Sequence, residues 1–137
     1  MSDPVLGSTL PFSAVPFTRL IGLEREYSHA GRSRFILEDK PELQNMLQST
    51  HGGVLTTLLD VAMASAAVSH VNFTMTAVTL GFNCQFLRPG RGRLAAEGEL
   101  LDAANGFAQC RAQVLDSERR VVAEAHGSFR YLPHRKE

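Results

Sequence analysis

The sequence predicts an α+β domain in which an antiparallel sheet curls around one long helix. Only residues 53–70 have the composition and spacing of a long helix. Every segment after that helix alternates between apolar and polar residues, as strands do. Short runs of turn-forming residues separate these segments. A sheet with one apolar face needs a cover, and the long helix is the only candidate for that cover.

Length and composition limit the classes of protein to be considered. A chain of 137 residues can bury a core but is too short for two domains, so we take residues 1–137 as one domain. Its 14 basic and 14 acidic residues cancel, which argues against a nucleic-acid or anionic-membrane partner. The start of the chain has no long apolar run, so we predict no secretory signal. Two cysteines without metal-type spacing also suit a reducing cytoplasm.

The region before the long helix is predicted to be mostly irregular, with one hairpin. The first twenty residues contain three prolines and room for a short apolar helix or flap. Residues 23–28 and 32–38 are predicted strands joined by a turn at residues 29–31, whose last member is glycine. A loop is expected from residue 39 to residue 50.

The long helix has an apolar stripe and a second half of small residues. Residues 62–67 are dominated by alanine and serine, which would let the helix lie close to a sheet. A membrane span over residues 54–71 is unfavourable, because Asp60 inside it would cost roughly 2.5–3.5 kcal/mol. The residues predicted to face the core are Leu55, Leu58, Leu59, Ala62, Ala66 and Ser69.

Four alternating segments follow the helix and are predicted to form an antiparallel meander. In the first, residues 77–87, we expect Val78, Leu80, Phe82, Cys84 and Phe86 to share one face. The next three are residues 94–100, 108–114 and 121–131. Cys84 and Cys110 fall on the apolar side, so we interpret both as small core residues.

The start of the helix carries the residues that suggest chemistry. Gly52 and Gly53 would expose backbone N–H groups that can polarise a thioester carbonyl, as an oxyanion hole does. Asp60 could activate water or attack that carbonyl. Asn45 would position the water or the substrate, and His51 stands beside the glycines. The pattern alone fits a solvent-facing Asp60 equally well.

These residues resemble a known family. Asn45, the run His51–Gly53, and Asp60 nine residues after the histidine are similar to the hot-dog thioesterases of the PaaI and 4-hydroxybenzoyl-CoA thioesterase type. The strand at residues 79–89, which ends in the run Phe86–Pro89, strengthens the likeness. The resemblance covers nearly the whole chain.

The resemblance implies a hot-dog fold and hydrolysis of an aromatic or short- to medium-chain acyl-CoA to the free acid and CoA, without a cofactor. It implies a homodimer or homotetramer with active sites at the dimer interface. The amide of the family maps to Asn45, its carbonyl-polarising glycine to Gly52 and its carboxylate to Asp60. The hydroxyl residue that some members carry maps to Thr79. The resemblance also places Asn45 and Gly52 on one subunit and Asp60 on its partner.

Other side chains have two interpretations each. His51 could cap the helix or contact substrate, and the resemblance favours the site role. Arg88 and Arg91 lie in a basic turn that could grip the phosphates of coenzyme A, although a solvated turn is favoured. A metal site from His51, Asp60 and His70 is excluded by the spacing. Acyl-pocket candidates, for which core or flap packing is an equal alternative, are Phe12, Phe17 and Met46.

Two rival functions remain open. A non-catalytic acyl-CoA-binding domain would keep the fold but lose the carboxylate or the amide, and both are present. A hot-dog hydratase would pair a histidine with the carboxylate, yet the next histidine after Asp60 is His70. We rank both below thioester hydrolysis.

Overall fold

The computed structural model describes Phe12 and residues 15–134, so most of the predicted irregular N-terminal segment lies outside the described residues. The predicted α+β class is confirmed: one long helix and six strands make up most of this region. The elements are α1 (Pro16–Ile21), β1 (Glu24–His29), β2 (Arg32–Leu37), a 3₁₀ turn (Pro41–Leu43), α2 (Gly52–His70), β3 (Met75–Phe86), β4 (Leu94–Ala104), β5 (Phe107–Leu115) and β6 (Val121–Pro133).

The strands form one antiparallel sheet in the order β1-β2-β4-β5-β6-β3, and α2 packs against all six of them. The predicted hairpin is the β1–β2 pair, with its turn at Ala30 and Gly31. Gly31 has φ +83°, a conformation that glycine adopts without steric cost. The short apolar helix predicted near the N-terminus is α1.

The meander prediction is wrong at one connection. Strands β4, β5 and β6 do follow one another, but β3 pairs with β6 at the sheet edge and β4 pairs with β2. Residues 87–93 are a crossover rather than a tight turn. The crossover passes the start of α2, where the N–H of Thr50 donates to the carbonyl of Gly90 at 2.8 Å. A Cβ on Gly90 would lie 3.2 Å from Val122, so the crossover runs close to the core.

The predicted alternation of β3 is also wrong in its first half. The register with β6 shifts between Thr79 and Gly81, which leaves Leu80 as a β-bulge. Because a one-residue bulge reverses the phase of the side chains before it, Val78 and Leu80 are exposed instead of sharing a face with Phe82.

The helix α2 lies very close to the middle of the sheet, as its small residues predict. A Cβ on Gly98 of β4 would overlap the carbonyl oxygen of Ala62. Buried Ser33 of β2 donates to the same oxygen at 2.6 Å. All six residues of the predicted core stripe of α2 are buried.

By length and composition α2 could cross a membrane, but 56% of its apolar window is buried inside the fold. The six strands around it make it the core helix of this domain. Cys110 is buried, and Cys84 is half-buried and packs against the core, as predicted.

Candidate active site

Asp60 is held by the strand beside it. The hydroxyl of Thr79 on β3 donates to Oδ1 of Asp60 at 2.6 Å. The carboxylate is half-buried on an otherwise apolar helix, and this burial raises the pKa of Asp60 above its ordinary value. The hydrogen bond from Thr79 opposes part of that rise, because it stabilises the charged form. Asp60 is therefore partly desolvated, as reactive carboxylates often are, and its orientation is fixed by the hydrogen bond from Thr79.

The bulge at Leu80 is what turns Thr79 toward the helix. Without the extra residue, Thr79 would point away from the face that carries Phe82 and Cys84. With it, Thr79 faces the helix and reaches Asp60. The hydrogen bond between Thr79 and Asp60, two residues that the family resemblance singled out separately, thus has a local cause in the backbone.

The start of α2 leaves one backbone donor free. The imidazole Nδ1 of His51 accepts from the N–H of Gly53 at 2.9 Å, so His51 is the N-cap of the helix. The carbonyl of His51 accepts from Val54 and Leu55. For the N–H of Gly52 no acceptor is found within residues 15–134. The geometry thus favours Gly52 over Gly53 as the donor to a carbonyl oxygen.

Asn45 organises the loop that precedes the helix. Its side-chain Oδ1 accepts from the N–H of Leu47 at 2.9 Å and from both the N–H and the hydroxyl of Ser49 at 3.2 Å. The amide oxygen is thereby occupied by the protein. Any contact of Asn45 with a substrate or a water molecule is left to its NH₂ group, which can only donate.

A surface depression of about 300 Å³ brings several predicted residues together. Asn45, Gly52 and Arg88 line it, and an aromatic ring, Phe86 at the end of β3, forms part of its wall. Asp60 does not line it. Gly52 and Asp60 are eight residues apart on α2, which is roughly 12 Å along a helix axis. One protomer therefore presents the backbone donor and the carboxylate at separate places.

The two predicted cationic residues differ in position. Arg88 lines the depression, whereas Arg91 is exposed on the crossover outside it. Within the described part of the chain neither has an ion-pair partner, while neighbouring Arg93 lies 3.5 Å from Glu38. Both remain available to an anion.

The acyl-pocket candidates do not form a group. Phe12 is buried and its ring lies 5.1 Å from that of Phe35, so it belongs to the core. Phe17 and Met46 are exposed, Met46 to 94%. Among the described residues, no three His, Cys, Asp or Glu side chains lie close enough together to hold a metal ion.

Sequence reasoning assigned Phe86 to the core face of β3 and missed its position at the site. Phe86 is 54% exposed, and its ring atoms Cε1 and Cζ lie 3.8 and 3.9 Å from where a Cβ of Gly52 would be. The only signal for this position was its place two residues beyond Cys84, at the end of the strand. The crossover that follows was needed to show that the strand ends over the start of α2.

Comparisons with known proteins agree with this geometry. Residues 47–123 match the family described as the thioesterase superfamily. The medium/long-chain acyl-CoA thioesterase YigI of Escherichia coli K12 and that of Salmonella typhimurium are each 29% identical over 131 residues, which cover 84% of this chain and 84% of theirs.

Solved structures give the same result. The conserved protein PA5202 of Pseudomonas aeruginosa is 27% identical, with a TM-score of 0.81 over 85% of this chain and 93% of its own. A variant of the phenylacetic acid degradation protein PaaI from Thermus thermophilus is 26% identical, with a TM-score of 0.77 over 85% and 99%. Since the family match spans more than half of the chain, this protein belongs to the thioesterase superfamily and is a thioester hydrolase with the hot-dog fold.

Proposed function

We propose that this protein hydrolyses acyl-CoA thioesters, with Asp60 as the carboxylate that acts on the thioester carbon. The observation that carries the proposal is the half-buried Asp60, fixed by Thr79 at 2.6 Å on an apolar helix. In the reaction a new C–O bond forms to the carbonyl carbon and the C–S bond breaks. Asp60 either removes a proton from the attacking water or attacks first and is then released by water. The products are the free acid and CoA.

We propose the N–H of Gly52 as the donor that polarises the thioester carbonyl. It lies at the positive end of α2 and has no acceptor in the described structure, so it can donate to the oxygen that gains negative charge. Asn45 lines the same depression, and its NH₂ group can donate to the substrate or the water. His51 supports both by capping the helix through Gly53. Direct contact of His51 or Gly53 with substrate stays a prediction.

We also propose that each site combines two subunits of a homodimer, which can pair further into a tetramer. Gly52 and Asp60 are too far apart along one helix to act on one carbonyl carbon. The edge strand β3 is long, and it contains neither proline nor a charged residue, so its outer edge can pair with a second copy. Two antiparallel copies of α2 would then bring each Gly52 near the Asp60 of the other chain.

The substrate proposal draws on the relatives. Two of them are named medium/long-chain acyl-CoA thioesterases, and one structure is of a phenylacetic acid degradation protein. We therefore propose acyl-CoA as the substrate class, and the first panel holds the aromatic, short-chain and medium-chain acyl groups expected from the sequence together with the long-chain groups in the relatives' name. Arg88 and Arg91 are the proposed contacts for anionic groups of coenzyme A. Two free cysteines suit a reducing cytoplasm as the location.

A thiol-release assay over a panel of aryl, short-chain, medium-chain and long-chain acyl-CoA substrates tests the proposal. We expect turnover of at least one member, with release of CoA matched by release of the acid. Saturable binding of acyl-CoA without release of thiol would instead make this a binding domain. Hydration of an enoyl-CoA with the thioester left intact would make it a hydratase.

A further inference from the structure

The inner face of β3 carries four large or functional side chains in succession, and the first and last of them lie beside two separate parts of α2. Thr79 bonds Asp60, and Phe82 and Cys84 pack against the core. The next inward position is Phe86, which lies beyond the core and beside Gly52. The strand thus places a hydroxyl at the carboxylate and an aromatic ring at the backbone donor.

The ring of Phe86 leaves little room at Gly52. Its nearest atoms are 3.8 and 3.9 Å from the position of a Cβ on Gly52, which is ordinary van der Waals contact. The ring therefore forms the wall of the depression directly beside Gly52. An acyl group whose carbonyl oxygen accepts from the N–H of Gly52 would lie in the space that this ring narrows. A CH₂ group there fits beside a flat ring more easily than a branched carbon does.

The ring also changes the electrostatics of the donor. Asn45 and Arg88 make part of the depression polar, while Phe86 adds apolar surface to the wall beside Gly52. Exclusion of water from that side strengthens the hydrogen bond from the N–H of Gly52 to a developing oxyanion. Phe86 is therefore suited to both binding and selection at the reacting carbonyl.

We propose that Phe86 contacts the substrate beside the thioester carbonyl and selects acyl groups with a CH₂ next to that carbonyl over α-branched and directly aromatic ones. The inference rests on the proposed acyl-CoA hydrolysis and adds a specificity residue to it. The class includes straight-chain acyl groups and arylacetyl groups, because both have a CH₂ at this carbon. It excludes isobutyryl-like and benzoyl-like groups as preferred substrates.

The test compares the straight-chain acyl-CoA that is best hydrolysed with its 2-methyl isomer of equal carbon number. We expect wild type to favour the straight isomer in kcat/KM by about tenfold or more, the usual effect of one misplaced methyl group. Phe86→Ala should reduce this preference by about tenfold, mainly by raising kcat/KM for the branched isomer, whose extra methyl group then has room, and Phe86→Leu should fall between the two. Phe107→Ala should keep the preference of wild type, because Phe107 is 41% exposed but pairs with Arg130, seven residues along β6 from Ala123, the partner of Phe86.

Three results would contradict the inference. One is an unchanged preference in Phe86→Ala and Phe86→Leu with wild-type turnover intact, which would leave the proposed function standing. Another is a wild type that prefers the branched isomer. The third is a lower assembly mass of Phe86→Ala by light scattering, which would assign the ring to the subunit interface. If wild type hydrolyses no acyl-CoA at all, the proposed function itself fails.

Discussion

At the scale of single residues, the charged carboxylate proposed for catalysis at Asp60 lowers the stability of the fold. Its carboxylate is desolvated on an apolar helix, and its pKa is raised in the folded state. Above this raised pKa the carboxylate is charged in both the folded and the unfolded state, and its burial then makes the folded state less stable. The cost disappears when the pH falls below the ordinary value near 3.8, because the group is then protonated in both states.

Replacement of Asp60 separates these two effects. Asp60→Asn keeps the shape but removes the charge, so thiol release should fall by at least roughly 10²-fold. The same variant should unfold at a higher temperature than wild type at pH 7, and this difference should vanish below about pH 4. Thermal unfolding across pH 3–8 checks it. Near wild-type turnover in the variant would make Asp60 a structural residue only.

Thr79 should control the pH at which the site is active. Its hydroxyl lowers the pKa of Asp60, so Thr79→Val should raise that pKa further. If the carboxylate must be charged, the acid limb of kcat/KM should move to higher pH in this variant. Thr74→Val is the control, because Thr74 bonds the carbonyl of Val71 and not Asp60. An acid limb that stays at the same pH would show that Thr79 does not influence the group whose ionisation controls activity.

The sequence predicted which residues belong to the site better than it predicted what each of them contacts. Asp60 stood out as a carboxylate on an otherwise apolar helix, and the family resemblance named Thr79 as a second site residue without predicting that the two would bond. The occupation of the Asn45 oxygen by Leu47 and Ser49 could not be predicted, because hydrogen bonds inside a loop depend on its folded path. The position of Phe86 depends in the same way on where the crossover begins.

At the scale of elements, α2 is fixed by a close contact with the sheet. The carbonyl of Ala62, two residues after Asp60, lies where a side chain on Gly98 would be, and it also accepts from Ser33. The strands β2 and β4, which β5 and β6 separate from β3 in the sheet, thus hold α2 close to the sheet two residues from Asp60.

A methyl group at Gly98 should disturb this contact. Gly98→Ala would place a Cβ within the space of the Ala62 carbonyl oxygen, so the helix must move. We expect a loss of about 3 kcal/mol or more in the free energy of unfolding. The control is Gly81→Ala, where nothing lies within 4 Å of the added atom. Urea unfolding measures both, and equal stability of the two variants would show that the helix is loosely seated.

Element extents could be read from the sequence, but pairing could not. Periodicity located α2 and the cores of β4, β5 and β6 to within a few residues. It failed at Leu80, because an alternating pattern does not reveal one inserted residue. It also failed for the β3 to β4 connection, since the order of strands in a sheet depends on contacts between distant segments.

At the scale of the whole molecule, β3 should join two copies. We expect a dimer or a larger even assembly by light scattering at micromolar concentration. Leu80→Lys, at the 56%-exposed bulge of β3, should weaken the assembly by placing like charges near a two-fold axis. Leu101→Lys is the matched control, because Leu101 is also exposed, to 47%, at a bulge, but on β4 instead of β3. A stable wild-type monomer would remove the proposed interface.

Mixing of two impaired variants tests whether the site is shared. Asn45→Ala and Asp60→Asn should each be impaired, Asn45→Ala less so. After joint unfolding and refolding, about half of the dimers are mixed, and each mixed dimer holds one site with both native groups. Roughly a quarter of all sites should then recover. Activity no higher than the average of the two variants, with exchange of subunits confirmed, would place each site within one chain.

The two outer strands of the sheet differ in a way that limits how far the protein can assemble. Strand β1 carries Glu24, Arg25 and Glu26 and is interrupted by a register shift between Arg25 and Tyr27, whereas β3 is uncharged. Charge and irregularity discourage a further strand from adding at β1. Two copies joined through β3 would therefore expose only β1 at both ends of the combined sheet. Growth by addition of strands would stop there, so an edge that could have seeded fibres would instead be closed within a finite particle.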